Sequence, residues 1–72
     1  MKDRHYEVVF LIKKHVRVEA LDEIQAELEA ARKLSKSERR QVESLKVVDL
    51  DDEKRGIDYM RVDRAWWDEH GL

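Results

Sequence analysis

Residues 5–20 read HYEVVFLIKKHVRVEA, and this stretch decides the fold. Its even positions, Tyr6, Val8, Phe10, Ile12, Lys14, Val16, Val18 and Ala20, are apolar except for Lys14, while the odd ones are mostly charged. A period of two is the mark of an extended strand with one face buried. The run is long for one strand, so the pattern predicts a bend or bulge around Lys13 and Lys14. The competing reading is a hairpin turning at residues 13–15, and no Gly, Asn or Asp stands there to supply the turn conformation.

Downstream, from Glu19, the period becomes helical. Leu21, Ile24, Leu28, Ala31 and Leu34 fall on one stripe at spacings of three and four. Glu19, Asp22 and Glu23 at the start and Arg32, Lys33 and Lys36 at the end suit the helix dipole. The helix ends near Leu34 or runs on to about Gln41, and Ser35 with Glu38 three residues later has the form of a capping box for a second short helix. A strand follows over residues 42–50, with Leu45 and Val47 on one face and Val48 and Leu50 on the other. The polar stretch 51–56 then joins it to the apolar run 57–62 in a β-hairpin, with Gly56 where positive φ is needed. Asp63 is placed to cap one or two helical turns within residues 63–72. The order β-α-β-β, with a short final α, predicts a single two-layer α+β domain over residues 1–72: one amphipathic helix on a three-stranded sheet. If the first two strands are parallel neighbours, the crossover through the helix is right-handed, and the third strand is antiparallel to the second.

The chain has 72 residues, 44% of them charged and 42% hydrophobic, with 15 Lys and Arg against 17 Asp and Glu. Cysteine is absent, which excludes disulfides and thiolate zinc sites. No apolar run approaches the length of a membrane span, and the reading is a cytoplasmic protein without a membrane partner. Two glycines cannot build a glycine-rich phosphate cradle, and Ser35, Ser37 and Ser44 sit in no nucleophile-elbow context. With 17 acids, pairs of carboxylates carry no information. His5 and His15 lie roughly 33 Å apart on one continuous strand. A calcium loop starting at Asp51 fails, because its fifth position is Arg55 and its twelfth Val62. The expectation is therefore no enzyme, no cofactor, no metal and no small-molecule substrate.

Partners are the more informative question. Val9 and Leu11 lie opposite the Tyr6, Val8, Phe10, Ile12 face, and the hairpin strands are likewise apolar on both sides, Ile57 and Tyr59 against Met60 and Val62. One helix covers one face, so the pattern predicts a second cover: the C-terminal segment, a second copy of the chain, or another protein. The plainer account tolerates Val9 and Leu11 on a solvated face. Adjacent Trp66 and Trp67 cannot easily share one small core. Either one closes it while the other lies over its rim, or the pair anchors a partner, as tryptophan does at interface hot spots. The resulting expectation is a non-enzymatic protein-interaction domain, a homodimer that also binds one protein partner through Val9, Leu11, Trp66 and Trp67. It would be a small regulator or inhibitor, of the kind that phages and other mobile elements encode in short chains without motifs.

The alternative is nucleic-acid binding. Charge is segregated, with +3 over residues 1–18, −5 over 19–31, +4 over 32–46 and −4 over 47–72. Arg32, Lys33, Lys36, Arg39 and Arg40 could contact phosphates, with Lys13, Lys14 and Arg17 on the first strand beside them. Against this stand a pI of about 5.9, the lack of an aromatic within the basic cluster, and the structural role of cations at a helix C-terminus.

Overall fold

A computed structural model describes residues 3–11, 14–52 and 55–72. The chain runs β1 (Arg4–Phe10), β2 (Lys14–Ala20), α1 (Glu23–Arg32), α2 (Lys36–Gln41), β3 (Ser44–Asp49), β4 (Gly56–Arg61) and α3 (Arg64–Glu69). It is an α+β domain with a four-stranded antiparallel sheet in the order β2-β1-β3-β4, against the three strands and one main helix expected. The extra strand comes from the opening stretch, which turns back on itself instead of bending. Phe10 pairs with Lys14 and Arg4 with Ala20, so the turn falls earlier than residues 13–15. Even residues pair with even ones across this hairpin, so period two passes through the turn undisturbed and mimics a single strand. Ile12 and Lys13, and with them the bend expected at Lys13, lie outside the described residues. Lys14 opens β2, and its Nζ pairs with Glu38 Oε2 at 3.0 Å.

The condition of a parallel pair is not met, because β1 lies between β2 and β3 and is antiparallel to both, while the last two strands are antiparallel as expected. The helices cover one side of the sheet. There Tyr6, Val8, Phe10, Val16, Val18, Ala20, Leu45 and Val47 meet Ala26, Ala30, Ala31 and Leu34 of the α1 region, with Val42 and Trp67 closing the core. β2 runs to Ala20, so α1 starts later than Glu19. Asp22 caps it by accepting from the Gln25 N–H at 2.8 Å, while Gln25 Oε1 accepts from the Leu21 N–H at 2.7 Å. The buried stripe is also rotated from the expected one. Ala31 and Leu34 are buried as read and Leu28 is partly so, but Leu21 and Ile24 are exposed, and Ala26, Glu27 and Ala30 take their place. Small alanines let the helix backbone lie close to the sheet, a gain that a ranking by side-chain hydrophobicity misses.

The helix ends are closed by side chains. Ser35 and Glu38 form the reciprocal capping box of α2, which settles the boundary between the two helices. Arg39 Nη1 donates to the Ala31 and Leu34 carbonyls at 3.3 and 2.7 Å. Arg64 donates to the carbonyls of Arg39, Arg40 and Val42 at 2.6 to 2.9 Å, tying α3 to the end of α2. Asp63 caps α3 through the Trp66 N–H, as read from the sequence.

The β3–β4 hairpin forms as expected, but with a bulge: Leu45 pairs with Met60 and Val47 with Ile57, leaving Asp58 and Tyr59 opposite Lys46 alone. The phase of β4 shifts there. Ile57, Met60 and Val62 all pack against the core and Tyr59 is left outside, in place of the expected alternation. Gly56 has φ +128°, and a Cβ there would lie 2.5 Å from the Val47 carbonyl oxygen. Gly56→Ala is therefore expected to cost about 1–3 kcal/mol of stability, measurable by chemical denaturation.

Candidate interaction surface

The side of the sheet away from the helices is built from the alternate residues of each strand: Glu7 and Val9 of β1, His15, Arg17 and Glu19 of β2, Lys46 and Val48 of β3, and Tyr59 of β4. No helix or loop of the described residues lies over it. Val9 faces His15 on one side and Lys46 on the other, and Val48 faces Glu7. Tyr59 is 55% exposed, with Lys46 Nζ 5.9 Å from its ring centre, and Leu11 beyond β1 is 54% exposed. An apolar band of Leu11, Val9, Val48 and Tyr59 thus crosses the open face, interrupted by Lys46.

Beside this band is a charged one. Glu7 accepts from Arg17 Nε at 3.3 Å and lies 3.5 Å from His15 Nδ1. At the other end of the hairpin, His5 stands between two carboxylates, with Nε2 3.2 Å from Glu19 and Nδ1 3.3 Å from Asp51. The Asp51 hydrogen bond is the main reason that the imidazole is raised above its ordinary pKa, and Glu19 adds to it. Asp51 is in turn held below the ordinary carboxylate range, chiefly by the His5 backbone N–H at 2.9 Å. The two ring nitrogens point to opposite sides, so these groups do not converge on one ion. Among the described residues no set of three His, Asp or Glu is placed to hold a metal. The hairpin also replaces the argument from distance along one strand, since it sets His15 beside Val9. An open groove of about 570 Å³ runs over His5, Arg17, Glu19, Leu50 and Asp51 to Lys33.

The residues singled out from the sequence fall into two places. Val9 and Leu11 belong to the open face. Trp66 and Trp67 are on α3, on the helical side, and the sheet separates them from Val9. Trp67 is 2% exposed and donates from Nε1 to Glu27 Oε2 at 2.6 Å. Trp66 is partly buried against the core, 4.6 Å from the His70 ring, and shares a groove of about 270 Å³ with Ile24 and Met60. No family model, curated protein or solved structure matches this chain.

The basic cluster is partly used by the fold. Arg32 pairs with Glu29 at 2.8 Å, Lys33 Nζ lies 3.4 Å from the Arg17 carbonyl, and Arg39 caps α1. Lys36 and Arg40 are exposed on α2. Tyr59 is the surface residue that the sequence pattern misplaced, because a bulge leaves no mark on hydrophobic alternation. Among the described residues no helix is long and apolar enough to cross a membrane.

Proposed function

We propose that the protein is a non-enzymatic interaction domain, a small cytoplasmic regulator or inhibitor that acts by binding another protein through its open sheet face. The supporting observation is the apolar band of Leu11, Val9, Val48 and Tyr59 on a sheet surface that the chain's own helices leave uncovered. Flanking charges of both signs, Arg17 and Lys46 against Glu7 and Glu19, give such a surface orientation and selectivity more than affinity. Trp66 serves as a secondary contact at most, because it faces the other side of the molecule.

The test is a nuclease-treated pull-down from lysate of the source organism with wild type, Trp66→Ala and the double variant Val9→Lys, Tyr59→Lys, each first shown folded by circular dichroism. One stoichiometric protein retained by wild type and Trp66→Ala but lost from the double variant is the expected result. A partner retained equally by the double variant overturns the assignment of the face. Retention that depends on nucleic acid transfers the function to Lys36, Arg40 and their neighbours, and a salt titration of affinity then counts the phosphate contacts.

A further inference from the structure

We propose that the protein also pairs with a second copy of itself along the free edge of β2, antiparallel and centred on Val18, so that the two sheets continue into one. The inference uses an edge and not the open face, and it stands independently of what that face binds.

A four-stranded sheet has two edges, and here they differ. The β4 edge carries the bulge at Asp58 and Tyr59, a device that twists an edge away from further pairing. β2 pairs with β1 over seven residues without a register shift. Its core-facing residues Val16, Val18 and Ala20 are apolar and it holds no proline. The one charge on that side, Lys14, stands at the first residue of the strand and pairs with Glu38 at 3.0 Å, leaving residues 16–20 without the proline or inward charge that protects natural edge strands.

The backbone groups at this edge follow from the ladder. The Leu50 N–H donates to the His5 carbonyl and the Leu11 N–H to the Ser44 carbonyl, so the odd residues of β1 bond toward β3. Antiparallel alternation then turns the even residues of β1 and β2 toward each other, and the N–H and C=O of His15, Arg17 and Glu19 toward the open edge. The Arg17 carbonyl has a long 3.4 Å contact from Lys33 Nζ, which an incoming N–H readily replaces.

Charge chooses the register. A twofold axis through the edge keeps both helical layers on one side, so odd residues must face odd ones. Centring on Val16 sets His15 opposite the partner's Arg17, and centring on Arg17 sets that arginine opposite itself. Centring on Val18 sets Arg17 opposite the partner's Glu19, twice by symmetry, with Val16 opposite the partner's Ala20 on the core side. Opposite charges directly across an antiparallel pair stabilise and like charges destabilise, so the third register is preferred. So short an interface falls below the standard size, so the association is weak and calls for measurement at high concentration.

Sedimentation equilibrium measures this dimer, and single cysteines measure its register, since the chain has no cysteine of its own. The two Val18 residues form a non-hydrogen-bonded pair with Cα atoms about 4.5 Å apart, within disulfide reach. Under mild oxidation Val18→Cys should form a covalent dimer and Val16→Cys should not. Arg17→Glu should weaken association about tenfold, and Arg17→Glu with Glu19→Arg should restore it. A wild type that stays monomeric at about 1 mM overturns the proposal. So does Val16→Cys crosslinking as fast as Val18→Cys, or a folded Arg17→Glu protein that associates unchanged. If Arg17→Glu fails to fold, the cysteine pair decides. The face variant Val9→Lys, Tyr59→Lys should dimerise like wild type; its failure to do so while folded would place the contact on the face and refute the edge.

Discussion

Trp67→Ala is expected to remove about 3–5 kcal/mol, most of the stability available to a domain of this size. The indole is 2% exposed, closes the core beside Val42 and Leu34, and comes from a helix too short to persist alone. Its loss would also strand Glu27, a 3%-exposed carboxylate on α1 that accepts from Trp67 Nε1. Burial raises the pKa of Glu27 above its ordinary 4.5, and the Trp67 bond pulls it back only in part. The folded state therefore holds the proton more tightly than the unfolded state. The stability this group lends is full below 4.5 and is lost as the pH rises through the raised folded value. Glu27→Gln keeps an acceptor for the indole without the buried charge, so its advantage over wild type should grow from pH 4.5 toward neutrality. Denaturant titrations of wild type and the two variants across that range measure both effects. A pH-independent difference between Glu27→Gln and wild type would remove the electrostatic part of the argument.

Asp49→Ala is expected to lower the thermal midpoint by roughly 15 °C and to weaken the acid dependence of unfolding. The Asp49 side chain is fully buried at the end of β3. Its Oδ1 accepts from the Asp51 and Asp52 N–H groups at 2.9 and 3.2 Å, and its Oδ2 accepts from Arg4 Nη1 at 3.0 Å. Burial alone would raise its pKa, but the hydrogen bonds from the Asp51 backbone and Arg4 outweigh it and hold the group below the ordinary range. Asp51 is lowered as well, and Glu38 is lowered to about 2, chiefly by the Ser35 backbone N–H and then by Lys14. For all three the folded state binds the proton less tightly. Their contribution is present above the unfolded values and is lost as the pH falls through the folded ones, so stability declines below about pH 4. Thermal melts from pH 7 to pH 2 should show Asp49→Asn between wild type and Asp49→Ala. An alanine variant as stable as wild type at neutral pH would show that the turn does not depend on this carboxylate.

The features legible in the sequence were those with local causes. Ser35 and Glu38, Asp63, and Gly56 each act within a few residues, and each stands where its chemistry pointed. The hairpin of β1 and β2 was hidden because even-to-even pairing preserves the alternation through the turn. The α1 stripe was misread because close contact with the sheet selects small residues, whereas a ranking by hydrophobicity favours Leu21 and Ile24 over the alanines that are buried. For the candidate surface, Val9, Leu11 and Val48 were visible as apolar residues on the second face. That one tryptophan closes the core while the other lies at its rim was among the readings, but not that Trp67 is the one turned inward, because its acceptor lies 40 residues away.

The strand order has a further consequence for how the chain reaches this state. β1 with β2 and β3 with β4 are local hairpins, each able to close on the order of microseconds. They join in the sheet only along β1 and β3, where Arg4 meets Asp49 across 45 residues of chain. Closing that span carries the largest loop entropy in the sheet, so zipping this central ladder sets the folding rate. The same seam is where two chains could trade hairpins during folding at high concentration, each completing the other's sheet with the ladder pairings preserved and only the connecting segment changed.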